Sequence, residues 1–483
     1  MPTYLSPGVY VEEVPSSARP IAGVGTSTAA FIGVVPDAVT MPTNPATQAA
    51  YTVAAAGVPV SITGWEQFKN NFGDFQAGNA VLAHAVYGFF NNGGTNCYVL
   101  RVTAATGNAA AKAASDTAAK AASDAATQAT SDAAAQVASD AAAKTASDAA
   151  AKAPNDAAAK AASDAAAKAA SDAAAKATAS AAAAKTASAA AAKAASDATT
   201  TGSLDSLNSL LAKFSGLDDV SLVAVPGATS LAQHTSIYDY CFNAKNCFAI
   251  LDGVQQPSDV TDPAKIEQFG ASKIGTYGAV YFPWIQVYDP VTSANRSIPP
   301  SGHLAGIYAR TDATRGVHKA PANENVLGAL GLDNLLGKSD QDKLNPNGVN
   351  VIRSFSGAIT VWGARTRADA GNSDFKYVNV RRLFIFLRKS IEVGTRWVVF
   401  EPNTPALWQS ITRNVTDFLT NVWRSGALFG NTAQQAFYVK CDSDLNPAST
   451  RDLGQVVIEI GVAIVRPAEF VVFRIGQWTG PSQ

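Results

Sequence analysis

The sequence predicts a mixed α/β and α+β fold: an α/β domain interrupted by an Ala-rich helical insert, an α+β C-terminal domain, and extended N- and C-terminal strand arms. Three observations predict it. Short apolar runs alternate with stretches of helical periodicity, the pattern of a layered, largely parallel sheet. The composition changes abruptly between Ala104 and Gly202 to Ala with Lys, Asp, Ser and Thr. Strand-type segments also stand near both termini with no turn signal beside them to provide a hairpin partner.

The first element is a short strand formed by Val9, Tyr10, Val11, Glu12 and Val14, bounded by Pro7-Gly8 and Pro15. Thr28 to Val35 and Cys97 to Val102 read as strands, and Trp65 to Phe90 carries apolar residues at helical spacing. Beyond the insert, buried-type runs at Val220 to Val225, Cys247 to Leu251 and Val280 to Val287 alternate with helical stretches such as Ile266 to Ile274. From about Val361 a second unit is expected: a strand, a long helix, a strand, another helix and two terminal strands.

In the insert, Asp recurs every eight residues from Asp116 to Asp172, with Lys or Gln midway between. Alanine and opposite charges four apart favour helix. A period of eight turns the charged stripe by about 80° per repeat, so no fixed apolar seam is expected. Pro154, near the midpoint, predicts a kink or reversal, giving a long solvated helix or a helical hairpin.

Two helices are specified in the C-terminal unit. One, about Val378 to Val393, turns Val380, Leu383, Phe384, Leu387 and Ile391 to a core and sets Arg381, Arg382, Arg388 and Lys389 elsewhere, as a charged face or protein contact. The other opens at Thr404-Pro405, an N-cap followed by proline at the first helical position. Its apolar stripe is Leu407, Trp408, Ile411, Val415, Phe418, Leu419 and Val422. Arg413, Asp417 and Arg424 occupy the opposite side with Gln409, Thr420 and Asn421, as a solvated face or a ligand-facing one. The chain closes with period-two alternation over Gln455 to Val465, a break at Arg466-Pro467, and a second strand from Glu469 to Trp478. That last strand carries Phe470, Val471, Val472, Phe473, Arg474 and Ile475. Such terminal strands pair at long range within the chain or add to a neighbour's sheet.

With 37 Lys+Arg against 38 Asp+Glu, no global field draws the chain to nucleic acid or anionic lipid. A signal peptide and an apolar run of the ~20 residues that span a bilayer are not found, which predicts cytoplasmic assembly and no direct membrane insertion. Cys97, Cys241, Cys247 and Cys441 form neither a disulfide framework nor a metal motif, and His84, His234, His303 and His318 are widely separated in sequence. Gly331 to Ser339, GLDNLLGKS, misses the P-loop spacing by one residue, and Leu332, Leu335 and Leu336 predict a core-packed helix there instead. No nucleophile motif is found, so the reading is no catalytic residues, no cofactor and no metal.

Several long strings resemble the contractile tail sheath family of myophages, phage-tail-like bacteriocins and extracellular contractile injection systems. They are YLSPGVYVEEVPSSARPIAGVGTSTAAFIG near the start, PPSGHLAGIYARTDATRGVHKAPANE from Pro299, YVNVRRLFIFLRKSIEVGTRWVVFEPN from Tyr377, LWQSITRNVTDFLTNVWRSGALFG from Leu407, and GQVVIEIGVAIVRPAEFVVFRIGQ from Gly454. The resemblance implies a subunit that polymerises into stacked rings around an inner tube protein, with baseplate and terminal cap proteins as further partners and no nucleic acid. It implies an N-terminal exchange arm (1–20), an outer α/β domain (21–103 and 203–360) split by the insert (104–202), an inner tube-facing domain (361–468) and a C-terminal exchange arm (469–483). By the same resemblance Gln409, Arg413, Asp417, Thr420 and Arg424 would face the tube. The particle would be a phage tail or tail-like device, released on lysis; the competing reading is a non-contractile surface or fibre polymer.

Overall fold

The computed structural model describes residues 20–103, 109–204, 207–255, 275–368 and 372–473; side chains of the alanine-rich segment are described over 120–187, residue 122 excepted. The chain forms two units, a body made of the chain up to Arg101 and from Leu207 onward, and an insert, Val102–Ser206.

The body begins with strand β1 (Ala29–Val34), β2 (Pro59–Ile62), helices α1 (Trp65–Phe72) and α2 (Ala80–Asn91), and β3 (Cys97–Val102). The expected strands at 28–35 and 97–102 are therefore present, while the helical stretch 65–90 is two helices, parted at Gly73, whose φ of 81° ends α1. After the insert come α5 (Leu207–Leu211), β4 (Leu222–Ala224), α6 (Leu231–Ala244), β5 (Phe248–Asp252) and β6 (Gly278–Phe282). Next are β7 (Ile285–Asp289), β8 (Ala294–Ile298), α7 (Ser301–Arg315), β9 (Glu324–Asn325), β10 (Gly331–Leu332), α8 (Lys338–Leu344), β11 (Val349–Phe355) and β12 (Ala358–Val361).

Nine strands make one sheet in the order β2-β3-β1-β4-β5-β6-β11-β12-β9. Its centre, β1-β4-β5-β6-β11, is parallel throughout. Strands β4, β5 and β6 are buried at every residue, which is why they read as unbroken apolar runs rather than alternating ones. Two expectations fail here. The run Val280 to Val287 is not one strand: Pro283 ends β6, and β7 joins a separate three-stranded sheet, β10-β7-β8. Gly331 to Ser339 is not a core helix: Leu332 ends a short strand, Leu335 is 79% exposed, and helix starts only at Lys338. The helix expected at Ile266 to Ile274 lies outside the described residues.

Helix α7 rests on α2 through small residues. A side chain at Gly302 or Gly306 would strike the backbone carbonyl of Ala85 or Phe89, so glycine allows the two backbones to approach.

The C-terminal part holds α9 (Val378–Gly394), α10 (Pro405–Arg424), α11 (Ala433–Ala436), β13 (Phe437–Lys440), α12 (Ala448–Asp452) and β14 (Glu459–Val462). Val361, expected to open this part, instead ends β12, which lies between β11 and β9 in the nine-stranded sheet, and the strand expected between α9 and α10 is a 3-10 turn at Arg396–Val398. The α9 expectation also needs correction: Arg382 and Lys389 are buried, not on a charged face, because Arg382 pairs with Asp312 (2.5 Å) and Lys389 donates to the carbonyl of Asp218. Leu383 and Leu387 share a core with the α10 stripe, and Ile21 and Val317 join it.

The insert is a hairpin of α3 (Ala109–Lys152) and α4 (Ala157–Leu204), with Pro154 in the turn. Asp156 caps α4, its Oδ1 accepting from the N–H groups of Ala158 (2.9 Å) and Ala159 (3.3 Å). Contrary to the expectation of no seam, the shielded positions of α3 are Ala125, Ala129, Asp132, Gln136, Ser139, Ala143, Ala146 and Ala150, spaced alternately four and three. Alanine fills nearly every register, so a seam of seven-residue period runs through a sequence of eight-residue period. Among the described side chains Asp132 is the aspartate that falls on it, held by Lys176 (3.0 Å), Gln128 (3.0 Å) and Ser180 from two sides.

Candidate assembly interface

Helix α10 is fixed by its start and its stripe. The Thr404 hydroxyl accepts from the Leu407 N–H (3.4 Å), Pro405 follows, and the seven predicted apolar residues are all buried. On the other side Gln409, Arg413, Asp417 and Arg424 are exposed and Thr420 is half-buried, its hydroxyl donating to the carbonyl of Thr416 (2.7 Å). At 3.6 residues per turn these five side chains lie within an arc of about 80°. They form one ridge of mixed charge, with Arg424 placed favourably at the helix C-terminus.

Strands β13 and β14 form a two-stranded antiparallel sheet with Tyr438 opposite Gly461 and Lys440 opposite Glu459. The terminal strand expected at Gln455 to Val465 thus has a partner within the chain, over a shorter span. Asn446 shapes its start by gripping Val457, accepting from its N–H (2.7 Å) and donating to its carbonyl (3.0 Å). The Ala463 N–H donates to the Ala436 carbonyl (2.8 Å), and the Phe429 N–H to that of Ala463 (2.7 Å). By the strand's alternation, the backbone groups of Ile460, Val462 and Ile464 then point to the opposite edge, where no strand among the described residues pairs with them.

Five residues beyond Val465, the chain runs without regular structure through Phe470, Val471, Val472 and Phe473, which are 71, 69, 79 and 83% exposed. Strand is not formed here in the single chain. Arg474 and Ile475 lie outside the described residues, as do Val9, Tyr10, Val11, Glu12 and Val14 of the N-terminal segment.

Just before the exposed run, Glu469 is gripped from several sides. Its Oε1 accepts from Arg365 Nε (2.7 Å) and Asn345 Nδ2 (2.8 Å), and its Oε2 from Arg365 Nη2 (2.9 Å) and the Tyr377 hydroxyl (2.8 Å). Burial opposes its ionisation, but the hydrogen bonds from Arg365, Asn345 and Tyr377 outweigh it and hold the carboxyl below its ordinary value. Sequence reading missed this contact. An acidic residue opening an otherwise apolar terminal run was the available signal.

The histidines are distant in sequence, yet the fold brings His84 and His303 into one buried region, with His84 Nε2 3.8 Å from Asp289. Burial pushes their pKa values down to about 4 and about 3, so both are neutral. Among the described residues no group of three His, Cys, Asp or Glu is arranged to hold a metal ion, and no helix is long and apolar enough to cross a membrane.

Residues 198–367 match the phage tail sheath protein central domain and residues 370–477 the phage tail sheath C-terminal domain, together more than half of the chain. The chain belongs to the phage tail sheath family. Among sheath relatives, a putative prophage major tail sheath protein of Pseudomonas aeruginosa (strain UCBPP-PA14) is 28% identical over 267 residues, 53% of this chain and 65% of that protein. The tail sheath protein of Vibrio phage KVP40 is 29% identical over 202 residues, 41% of this chain and 29% of its own length. The match thus spans less than two thirds of these relatives. The fold of this sheath-family chain is similar to the contracted sheath of an extracellular contractile injection system, PVC (TM-score 0.63, 23% identity, 99% of each chain), and to the contracted helical sheath of the anti-feeding prophage (TM-score 0.62, 24% identity, 98% of this chain and 100% of the other).

Proposed function

We propose that the chain is a structural subunit of a contractile sheath, which polymerises helically around an inner tube and shortens to drive that tube through a target envelope. The observation that carries the reading is that, among the described residues, one edge of β14 has no partner strand and the exposed apolar segment Phe470 to Phe473 pairs with no strand either. An unpaired edge and an extended apolar segment able to add to it are the two halves of β-augmentation, and on one chain they make each subunit both donor and acceptor. Head-to-tail contacts of that kind generate helical filaments. Residues 1–20 and 469–483 act as the arms, 21–103 with 203–360 as the outer domain, and 361–468 as the inner domain, with 104–202 inserted in the outer one. The proposed partners are further copies of this chain, the tube subunit, and baseplate and cap proteins. The subunit performs no catalysis, and it assembles in the cytoplasm as part of a tail or tail-like particle.

The α10 ridge of Gln409, Arg413, Asp417, Thr420 and Arg424 faces the tube in this proposal. Exposed ion pairs are worth about 0–1 kcal/mol each, weak enough to be broken one subunit at a time during shortening. The test is electron microscopy of the chain co-expressed with its tube subunit. Hollow helical sheaths are expected; folded monomers alone would refute the polymer. Deleting Met1 to Pro15 should leave the body folded and prevent ordered sheaths. Arg413→Glu with Arg424→Glu should weaken assembly on the tube while sparing self-polymerisation, and unchanged assembly would remove the ridge from the interface.

A further inference from the structure

We infer that Glu469 is the fixed root of the C-terminal arm, a positioning residue that ties the chain to the α/β body so that exchange begins at Phe470 and tension on the arm enters the body at one point. The inference rests on the proposed arm exchange.

Three features of the geometry carry it. First, both Glu469 oxygens are satisfied twice, by a guanidinium fork, a carboxamide and a phenol. A carboxylate met by a fork of two parallel N–H groups is held in direction as well as in distance. Second, the grip continues inward. The Arg365 N–H donates to Asn350 Oδ1 (2.7 Å) and its Nη1 to the carbonyl of Asn345 (2.9 Å). Asn350, fully buried in β11, donates in turn to the carbonyls of Val280 in β6 (3.2 Å) and of Arg365 (2.8 Å). Glu469 is thereby connected through two side chains to the parallel centre of the large sheet. Third, the change along the chain is abrupt. Asn379 Nδ2 donates to the carbonyl of Val465 (3.3 Å), so the segment is held at Val465 and again at Glu469, while the next four residues are exposed and unpaired.

A swapped segment needs a boundary where its host stops holding it. If that boundary were soft, pulling the arm would peel β14 from β13 and the load would be lost in unfolding. Fixing the chain at Glu469 places the pull on β6 and β11 instead, and leaves the small sheet free to receive a neighbour's strand.

The test compares the full-length chain with Glu469→Gln, Glu469→Ala, Arg365→Ala, the Arg365→Ala/Glu469→Ala double variant and a chain lacking Phe470 to Gln483. In unassembled protein, amide hydrogen exchange at residues 466–470, corrected for intrinsic rates, should accelerate at least tenfold in Glu469→Ala with β6 and β11 unchanged. The double variant should accelerate by less than the product of the two single effects, because Arg365 and Glu469 hold each other, while Asn345 and Tyr377 still grip Glu469 in Arg365→Ala. Protection in the wild type should fall on acidification as Glu469 takes up a proton, whereas Glu469→Gln should lack that pH step. Co-assembled with the tube subunit, Glu469→Ala sheaths should form poorly or break between subunits on contraction. If the truncated chain still builds normal sheaths, the arm exchange fails and this inference falls with it. If truncation blocks assembly but Glu469→Ala keeps wild-type exchange and its sheaths survive contraction, the arm stands and the role of Glu469 is overturned.

Discussion

Along α10 the inward positions are Leu407, Trp408, Ile411, Val415, Phe418, Leu419 and Val422, whereas along α3 they are alanines with Ser139, Gln136 and Asp132. Both are long helices with one shielded side, but only the first is told by its sequence which side that is. Large side chains on α10 make any rotation expose apolar surface, at about 25 cal/mol per Å². In the hairpin a rotated helix meets more alanine, so packing alone leaves orientation nearly undetermined. Position is set there by the Pro154 turn and by Asp132 with Lys176 and Ser180, as a lone polar residue fixes register in a coiled coil.

The largest effect separating the regions is expected from acid. His84, His234 and His303 are buried and neutral in the body, with pKa values pushed down to about 4, about 4 and about 3, and the insert contains no histidine. Because the unfolded chain binds these protons first, the stability they hold is full above about pH 6.5 and is lost as pH falls toward 4. Moving from pH 7 to 5 should cost about 2 kcal/mol per histidine. Asp252 works in the opposite sense, since burial raises it to about 7 against the hydrogen bonds from Ser301 and Gly227, and it returns about 2 kcal/mol. The net loss, roughly 4 kcal/mol, should appear in denaturant midpoints followed by tryptophan fluorescence, a signal confined to the body. An unchanged midpoint at pH 5 would mean that these histidines are not buried as described.

Next, Ile411→Ala should destabilise the body by about 2–5 kcal/mol, as a cavity in a packed core does. Helical ellipticity from the insert should survive at denaturant concentrations that unfold the variant body. Smallest is the effect within the hairpin: Asp132→Ala should lower its melting temperature and Asp140→Ala, exposed on the same helix, should not. Equal behaviour of the two would remove Asp132 as the register key.

Much of the body was legible because its signals are local. The parallel strands are written as Leu-Val-Ala, Phe-Ala-Ile-Leu and Gly-Ala-Val-Tyr-Phe, and Thr404-Pro405 marks a helix start without reference to anything distant. What was misread depended on partners far along the chain. Periodicity reads Arg382 as a surface cation, and its burial follows from distant partners, Asp312, Tyr308 and the carbonyl of Thr26. Glu469 looked like part of a strand, since the side chains that grip it come from Asn345, Arg365 and Tyr377. The alanine seam was misjudged for a different reason: an apolar stripe was sought by contrast, and a sequence with no contrast still packs.

That lack of contrast has a consequence for how the protein can change. Adding or removing one eight-residue unit on each side of Pro154 would alter the hairpin by about 12 Å while presenting the same small side chains to the facing helix. A unit gained on one side alone would leave the two strokes unequal and force a loop. The insert is therefore a segment whose length can be reset in paired increments of one repeated unit.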